Sequence, residues 1–236
     1  MTDPRVAVVV PALNEAQSIG ALVRSMPWHL IRECIVVDNG STDETARVAA
    51  DAGARVVVEP RRGYGQACMT GAASVAPATS IIVFMDGDGS DVPAELPWLI
   101  DPIVAGQQDF VIGSRLRGER EEGSMTFSQI FASRLFGLLL RVMYGVRHTD
   151  MGPFRAITRS GLERLRMQER TYGWNLEMQM RSMQEKLRVL EVPTSCRRRT
   201  GGVSKVSGSL GASIKAASRI LSVFLRVSFA RGRAGR

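Results

Sequence analysis

Histidine is scarce in this chain of 236 residues: there are two, His29 and His148. The three cysteines, Cys34, Cys68 and Cys196, are scattered, with no CxxC pair and no histidine beside them. That excludes a zinc site or a disulfide framework and suits a reducing cytosol. Aromatic residues make up only 6%, too few for the aromatic platforms on which single-stranded nucleic acid stacks. No uncharged apolar run reaches the roughly 18 residues that a spanning helix needs. The N-terminus "MTDPRVAVVVPALNE" lacks a basic region followed by a long apolar run, so no signal peptide is expected. Acid is missing from one end: no Asp or Glu follows Glu191, while ten Lys or Arg do. The net charge is +8, which points to an anionic partner, and a basic tail of this kind suits a phosphorylated ligand or a membrane surface.

What is present is a repeating design. "RVAVVVPA" (5–12) reads as a strand covered on both faces, because it is continuously apolar and rich in β-branched residues. Asn14 is placed to cap a helix over 15–26 that stops before Pro27. "ECIVVDNGSTD" (33–43) repeats strand, polar turn and helix, with Ser41 or Thr42 as cap of a helix near 43–52. Further strands are expected at 54–60, 80–86, 109–115 and 187–193, with helices to about 75, near 94–105 and near 175–187. Strands alternating with helices imply an α/β fold on a mainly parallel, doubly wound sheet. "RHTDMGPFRAI" reads as a turn, and "CRRRTGGVSKVSGS" as a basic, flexible loop. The stretch 127–146 is apolar but interrupted by Arg134 and Arg141, and the tail 210–229 spaces its apolar residues as an amphipathic helix does.

Ligands of open parallel sheets bind beyond the carboxyl ends of the strands. "PALNE", "DNGSTD" and "DGDGSD" all fall there, each bringing carboxylates. Any one of them could be an ordinary turn; three at one edge suit hydroxyls, base nitrogens and a hard cation. The most apolar strand, "IIVFMD", runs into Asp86, Asp88 and Asp91. Asp86 and Asp88 flank one glycine and can converge on a single ion. Oxygen ligands with no His or Cys nearby favour Mg²⁺ or Mn²⁺, which complete their shells with water and substrate phosphate.

Taken in order, "VVVPALNE", "IVVDNGSTDET", "GYGQAC", "FMDGDGSD", "VIGSR", "TDMGPFRAI", "YGWNLEMQM" and "EVPTSCRRRTGGVSK" resemble family 2 glycosyltransferases of the GT-A fold. They are most similar to the branch that glycosylates dolichyl or polyprenyl phosphate. The resemblance spans about residues 5 to 206, leaving 207–236 as a basic amphipathic tail. It implies an inverting transfer of glucose or mannose from a UDP- or GDP-sugar to a lipid-linked phosphate. A hydroxyl acceptor on a lipid, saccharide or small molecule is the alternative enzyme, and a basic nucleic-acid-binding module the alternative of another class.

The resemblance also implies residue roles. Pro11, Asn14 and Glu15 would bind the nucleoside with Asp38, Asp38 touching the base and Glu15 the ribose. Asp86 would contact the nucleotide and, with Asp88 as the main ligand, hold the metal. Arg115 would face the acceptor with Ser133 and Arg134, and Arg199 and Lys205 would close over the diphosphate. Glu177 lies where many relatives carry a catalytic carboxylate. This branch usually reads Asp-Ala-Asp-Leu-Gln; here Ser90 stands in place of the Gln. The expected setting is the cytoplasmic face of a membrane, touched by 127–146 and by a tail carrying Lys215, Arg219, Arg226, Arg231, Arg233 and Arg236. Either stretch could instead pack on the domain or pair two copies of the chain.

Overall fold

A computed structural model of the chain describes residues 5–201 and 210–231, and of 210–217 and 229–231 the backbone alone. The frame is a seven-stranded sheet in the order β3-β2-β1-β4-β6-β5-β7. Its strands are β1 (Val6–Ala12), β2 (Glu33–Asp38), β3 (Arg55–Val58), β4 (Ile81–Phe84), β5 (Phe110–Ser114), β6 (Arg155–Thr158) and β7 (Val189–Pro193). The helices are α1 (Ile19–Arg24), α2 (Thr45–Asp51), α3 (Tyr64–Ser74), α4 (Leu96–Val104), α5 (Phe127–Tyr144), α6 (Arg159–Leu165), α7 (Trp174–Gln184) and α8 (Leu210–Arg231).

β1 shows why the fold is a covered sheet. Side chains of a strand alternate between faces. Val6, Val8 and Val10 pack into one core with Ile19, Leu22, Leu99 and Ile100 of α1 and α4. Ala7 and Val9 pack into the other, with Ala67, Cys68, Trp174 and Met178 of α3 and α7. Every residue of β1 is buried, as a strand with helices on both faces must be.

β1 pairs in parallel with β2 and β4, and β5 in parallel with β7. β6 runs antiparallel to both β4 and β5. The carboxyl ends of β1, β2, β4, β5 and β7 therefore share one edge. β6 corrects the reading of "RHTDMGPFRAI" as a turn. Its four residues are too short for periodicity to register, and its first, Arg155, is a fully buried cation. That guanidinium donates to the carbonyls of Gly152 and Asn175 and lies over the Phe110 ring.

Two helix starts also differ from expectation. Asn14 does not cap α1. It adopts a left-handed conformation (φ 54°), accepts from Thr42 N–H at 2.8 Å and donates its own N–H to Ser41 Oγ at 2.9 Å. It thereby ties the loops after β1 and β2 together. α2 starts two residues later than expected, without a side-chain cap; Asp43, rather than Ser41 or Thr42, accepts from Thr45 N–H at 3.1 Å.

α5 is one uninterrupted helix. Thr126 and Gln129 form a reciprocal capping box at its start, and Gly145 closes it in the left-handed conformation (φ 72°). Its buried side, Phe136 and Leu140, meets Leu176 and Met180 of α7 and Val223, Phe224 and Val227 of α8 in a third core. The tail helix thus packs on the domain. Arg219 and Arg226 pair with Glu169 at 3.1 and 3.0 Å, so these two tail cations meet protein carboxylates, not headgroups. The other side of α5 exposes Phe127, Phe131, Leu135, Leu138 and Val142 as one stripe, with Phe127 83% and Val142 77% exposed. Arg134 and Arg141 lie exposed on the same helix. No described helix is long and apolar enough to cross a membrane.

Candidate active site

The shared edge gathers the carboxylates anticipated from the loops. Asp38 ends β2 and accepts Ser41 N–H at 2.9 Å. Glu15 follows β1 and is 7% exposed; its backbone N–H donates to Thr45 Oγ1 at 2.8 Å. Pro11 lies in β1, paired in register with Val37 of β2. Asn39 supports this floor from beneath. Its amide donates to the carbonyls of Glu59 and Arg61 and accepts Gly63 N–H, a bracing role its sequence position does not signal.

β4 delivers the acidic turn. Asp91 is buried and points back, accepting Asp86 N–H at 3.1 Å. Asp88 accepts Ser90 N–H at 2.9 Å. Burial, and then the charge of Asp88, push Asp86 up to about 7, against the pull of Tyr64, Arg115 and Arg199. The Tyr64 hydroxyl faces Asp86 without regular hydrogen-bond geometry, so Asp86 Oδ1 is buried with no hydrogen-bond partner. A buried carboxylate oxygen without a partner, two residues from a second carboxylate, fits a hard divalent cation. Asp86 and Asp88 would hold it. Among the described residues no three His, Cys, Asp or Glu form a group that could hold a metal by themselves; an ion on Asp86 and Asp88 would need water and substrate phosphate for the rest of its shell.

The glycines of "GYGQAC" serve packing. A Cβ on Gly63 would come within 2.3 Å of Arg170 O, and one on Gly65 within 2.4 Å of Glu169 O. The start of α3 is pressed against the 169–170 backbone, where Gln66 N–H donates to Arg170 O at 2.8 Å.

β5 presents Arg115 to the same edge, near enough for its charge to act on Asp86 and Asp91. Asp150 clamps it, accepting from Arg115 Nε at 2.8 Å, Nη2 at 2.9 Å and the backbone N–H at 3.0 Å. Ser133 Oγ, reaching in from α5, also donates to Asp150 at 2.8 Å. Burial raises the Asp150 pKa, but the Arg115 charge and these hydrogen bonds outweigh it and hold the carboxyl below its ordinary value. Behind the clamp, Glu191 of β7 accepts the N–H groups of Thr149 and Asp150 at 2.8 and 3.2 Å. Asp150 and Glu191 are the residues that sequence reasoning missed. The "TD" of the quoted motif was the available signal, but nothing local says that its partner is Arg115. Arg134 is exposed and stands outside this network.

Arg199 reaches across from the basic loop to Glu15 and Asp88. Lys205 lies outside the described residues. Glu177 is fully buried on α7. One oxygen accepts the N–H groups of Gln168 and Glu169 at 2.9 and 2.6 Å. The other meets Arg181 at 2.9 Å and Arg226 at 3.6 Å. These contacts hold the 168–169 turn and α8 against α7.

Residues 7–166 match the model of glycosyl transferase family 2. The chain belongs to that family. It is 38% identical over 216 residues to an uncharacterised glycosyltransferase of Mycobacterium tuberculosis, covering 91% of this chain and 95% of that one. It is 30% identical to the polyprenol monophosphomannose synthase of Mycolicibacterium smegmatis, covering 87% and 82%. The fold is that of the GT-A glycosyltransferases. One solved example is glucosyl-3-phosphoglycerate synthase of M. tuberculosis with Mn²⁺, UDP-glucose and phosphoglyceric acid, at TM-score 0.79 and 24% identity over 94% of this chain and 79% of that one.

Proposed function

We propose that this family 2 enzyme is an inverting hexosyltransferase, dependent on Mg²⁺ or Mn²⁺, that moves glucose or mannose from a UDP- or GDP-sugar to polyprenyl or dolichyl phosphate. Asp38 and Glu15 take the base and ribose, Asp86 and Asp88 the cation, and Arg199 with Lys205 the diphosphate. Arg115 takes the acceptor phosphate. An acceptor oxygen attacks the anomeric carbon from the face opposite the diphosphate, the bond from that carbon to the diphosphate oxygen breaks, and the configuration inverts. The cation supplies Lewis acidity to the departing diphosphate. Cationic Arg115 keeps the acceptor anionic and in place.

The observation that carries the choice of a phosphate acceptor is Glu177. A hydroxyl acceptor needs a base to take its proton; a phosphate monoester, with a second pKa of about 6, does not. The residue best placed by sequence to be that base has both oxygens engaged with backbone N–H groups and arginines. Relatives named as polyprenol monophosphomannose synthase and undecaprenyl-phosphate mannosyltransferase support the same acceptor class. The glucosyl-3-phosphoglycerate synthase structures, one of them with phosphoglyceric acid bound, suggest a second reading, a small phosphorylated acceptor.

The exposed stripe of α5 supports work at a membrane surface. Its apolar side chains and flanking Arg134 and Arg141 suit an interface rich in anionic lipid. Ser133, on the inner side of the same helix, reaches the Arg115 clamp. The test is nucleotide release from a panel of UDP- and GDP-sugars with Mn²⁺, with polyprenyl phosphate or phosphoglycerate as acceptor. Stimulation by the lipid phosphate is expected. Transfer to phosphoglycerate alone overturns this reading. Flotation with anionic vesicles is expected for the intact protein and not for the Phe131→Asp, Leu138→Asp variant.

A further inference from the structure

The segment 196–201 lies as a strap across the acidic turn. Arg197 N–H donates to Ser90 O at 2.8 Å and Thr200 N–H to Asp88 O at 3.1 Å. Gly89 admits the strap: at φ 78°, a Cβ there would meet Thr200 Oγ1 at 2.6 Å. The strap places one guanidinium between carboxylates from two strands. Arg199 Nη1 lies 2.9 Å from both oxygens of Glu15, and Nη2 lies 3.0 Å from Asp88 Oδ2. The Arg199 side chain is 24% exposed, against 7% for Glu15 and 14% for Asp88. Both oxygens of Asp88 are thus engaged, one by Ser90 N–H and the other by Arg199.

We infer that Arg199 is the resident counter-cation of Asp88, anchored by Glu15, and that it must leave Asp88 before a divalent ion can bind there. The inference rests on the reading of Asp86 and Asp88 as metal ligands. Arg199 is a positioning residue here. Its guanidinium neutralises the carboxylates while no donor is present, and a planar, multiply donating cation is equally suited to an incoming diphosphate. Handing Arg199 from Asp88 to the diphosphate releases the carboxylate as the nucleotide arrives. Metal and nucleotide then bind each other's form of the site, which is positive coupling. A strap open about one tenth of the time would weaken the binding of metal alone about tenfold.

The experiment titrates Mn²⁺ into wild type, Arg199→Gln and Glu15→Gln, without nucleotide, following free Mn²⁺ by electron paramagnetic resonance. It is repeated with UDP present, and circular dichroism checks each fold. Both variants are expected to bind Mn²⁺ alone roughly tenfold more tightly than wild type. In Arg199→Gln, UDP is expected to improve Mn²⁺ binding less than it does in wild type. Glu15→Gln is the decisive arm, because removing a negative charge by itself weakens cation binding, whereas loosening Arg199 strengthens it. A gain in Arg199→Gln with a loss in Glu15→Gln is a plain field effect and overturns the inference. Unchanged affinity in both variants overturns it too. If wild type binds no Mn²⁺ even with UDP, the metal reading falls and this inference with it.

Discussion

Asp150→Ala should be among the most damaging single changes near the site. The Asp150 side chain is fully buried and its partner Arg115 is 17% exposed. The carboxylate receives both arms of the guanidinium, the Arg115 and Met151 N–H groups and the Ser133 hydroxyl. Truncation leaves a shielded cation without a counter-charge, which typically costs about 3–5 kcal/mol. At about 2–4 °C per kcal/mol for a chain of this size, Tm should fall by roughly 6–20 °C. The pair Arg115→Met, Asp150→Leu removes both charges and should recover about 1–3 kcal/mol of the loss. Recovery stays incomplete because Ser133 Oγ and the backbone N–H groups of residues 115 and 151 remain without their acceptor. Urea unfolding followed by tryptophan fluorescence measures each variant, Trp174 being buried. In kinetics, Arg115→Met should raise the acceptor KM by more than it weakens UDP binding, because Arg115 acts on Asp86 through its charge alone. A cost for Asp150→Ala below about 1 kcal/mol, the range of a surface pair, would refute the buried clamp. So would a double variant no more stable than the single one.

Asp88→Asn should fold normally yet lose about 10²–10³ in turnover; full activity of wild type in EDTA would contradict the metal role behind it. Gly65→Ala should lose on the order of 1–3 kcal/mol, because its Cβ meets the Glu169 carbonyl and not a flexible side chain; unchanged urea midpoints would refute the close approach. Burial and the Arg155 charge push His148 from 6.5 down to about 4. The unfolded chain therefore takes up the proton first as pH falls. This contribution is complete above about pH 6.5 and is lost between 6.5 and 4, amounting to about 2 kcal/mol by pH 5. His148→Gln should flatten that part of the stability profile, and an identical pH dependence in variant and wild type would refute the assignment.

The parallel half of the fold was legible because each strand there is a continuous apolar run that ends in turn residues. β6 was not, because four residues after a proline carry no period and its buried Arg155 reads as a surface residue. The site divides the same way. Glu15, Asp38, Asp86 and Asp88 are announced by their position at strand ends, and the structure sets them on one edge. Asp150 and Glu191 are not, because their role is to hold residues 35 and 41 positions away, and such pairings have no local signature. Ser133 was singled out for the acceptor, yet its hydroxyl is directed at Asp150. The tail shows the limit of reading one helix alone. Cations on an amphipathic helix look the same in sequence whether they face headgroups or Glu169, and in the structure Arg219 and Arg226 face Glu169.

An apolar strand ending in three aspartates is costly unless each charge is answered. Asp91 accepts the N–H of Asp86 from within the turn, yet burial, and then the charges of Asp86 and Asp88, still hold its pKa well above the ordinary carboxylate value. Asp88 is answered by Ser90 N–H and Arg199. Asp150, beside Arg115, is answered by both arms of that guanidinium and stays below its ordinary pKa. Asp86 keeps a buried oxygen with no hydrogen bond of regular geometry among the described residues, only the Tyr64 hydroxyl facing it, and its pKa rises to about 7. The chain has arginine to spare, with a net charge of +8, yet among the described residues no cationic side chain hydrogen-bonds this carboxylate. If the cluster were only a structural turn, satisfying Asp86 or replacing it with Asn would stabilise the fold at no loss. Asp86→Asn therefore separates the two accounts. A purely structural turn gains stability and keeps Mn²⁺ binding unchanged; a ligand site gains stability and loses Mn²⁺ binding, measured with UDP present so that Arg199 is already drawn away.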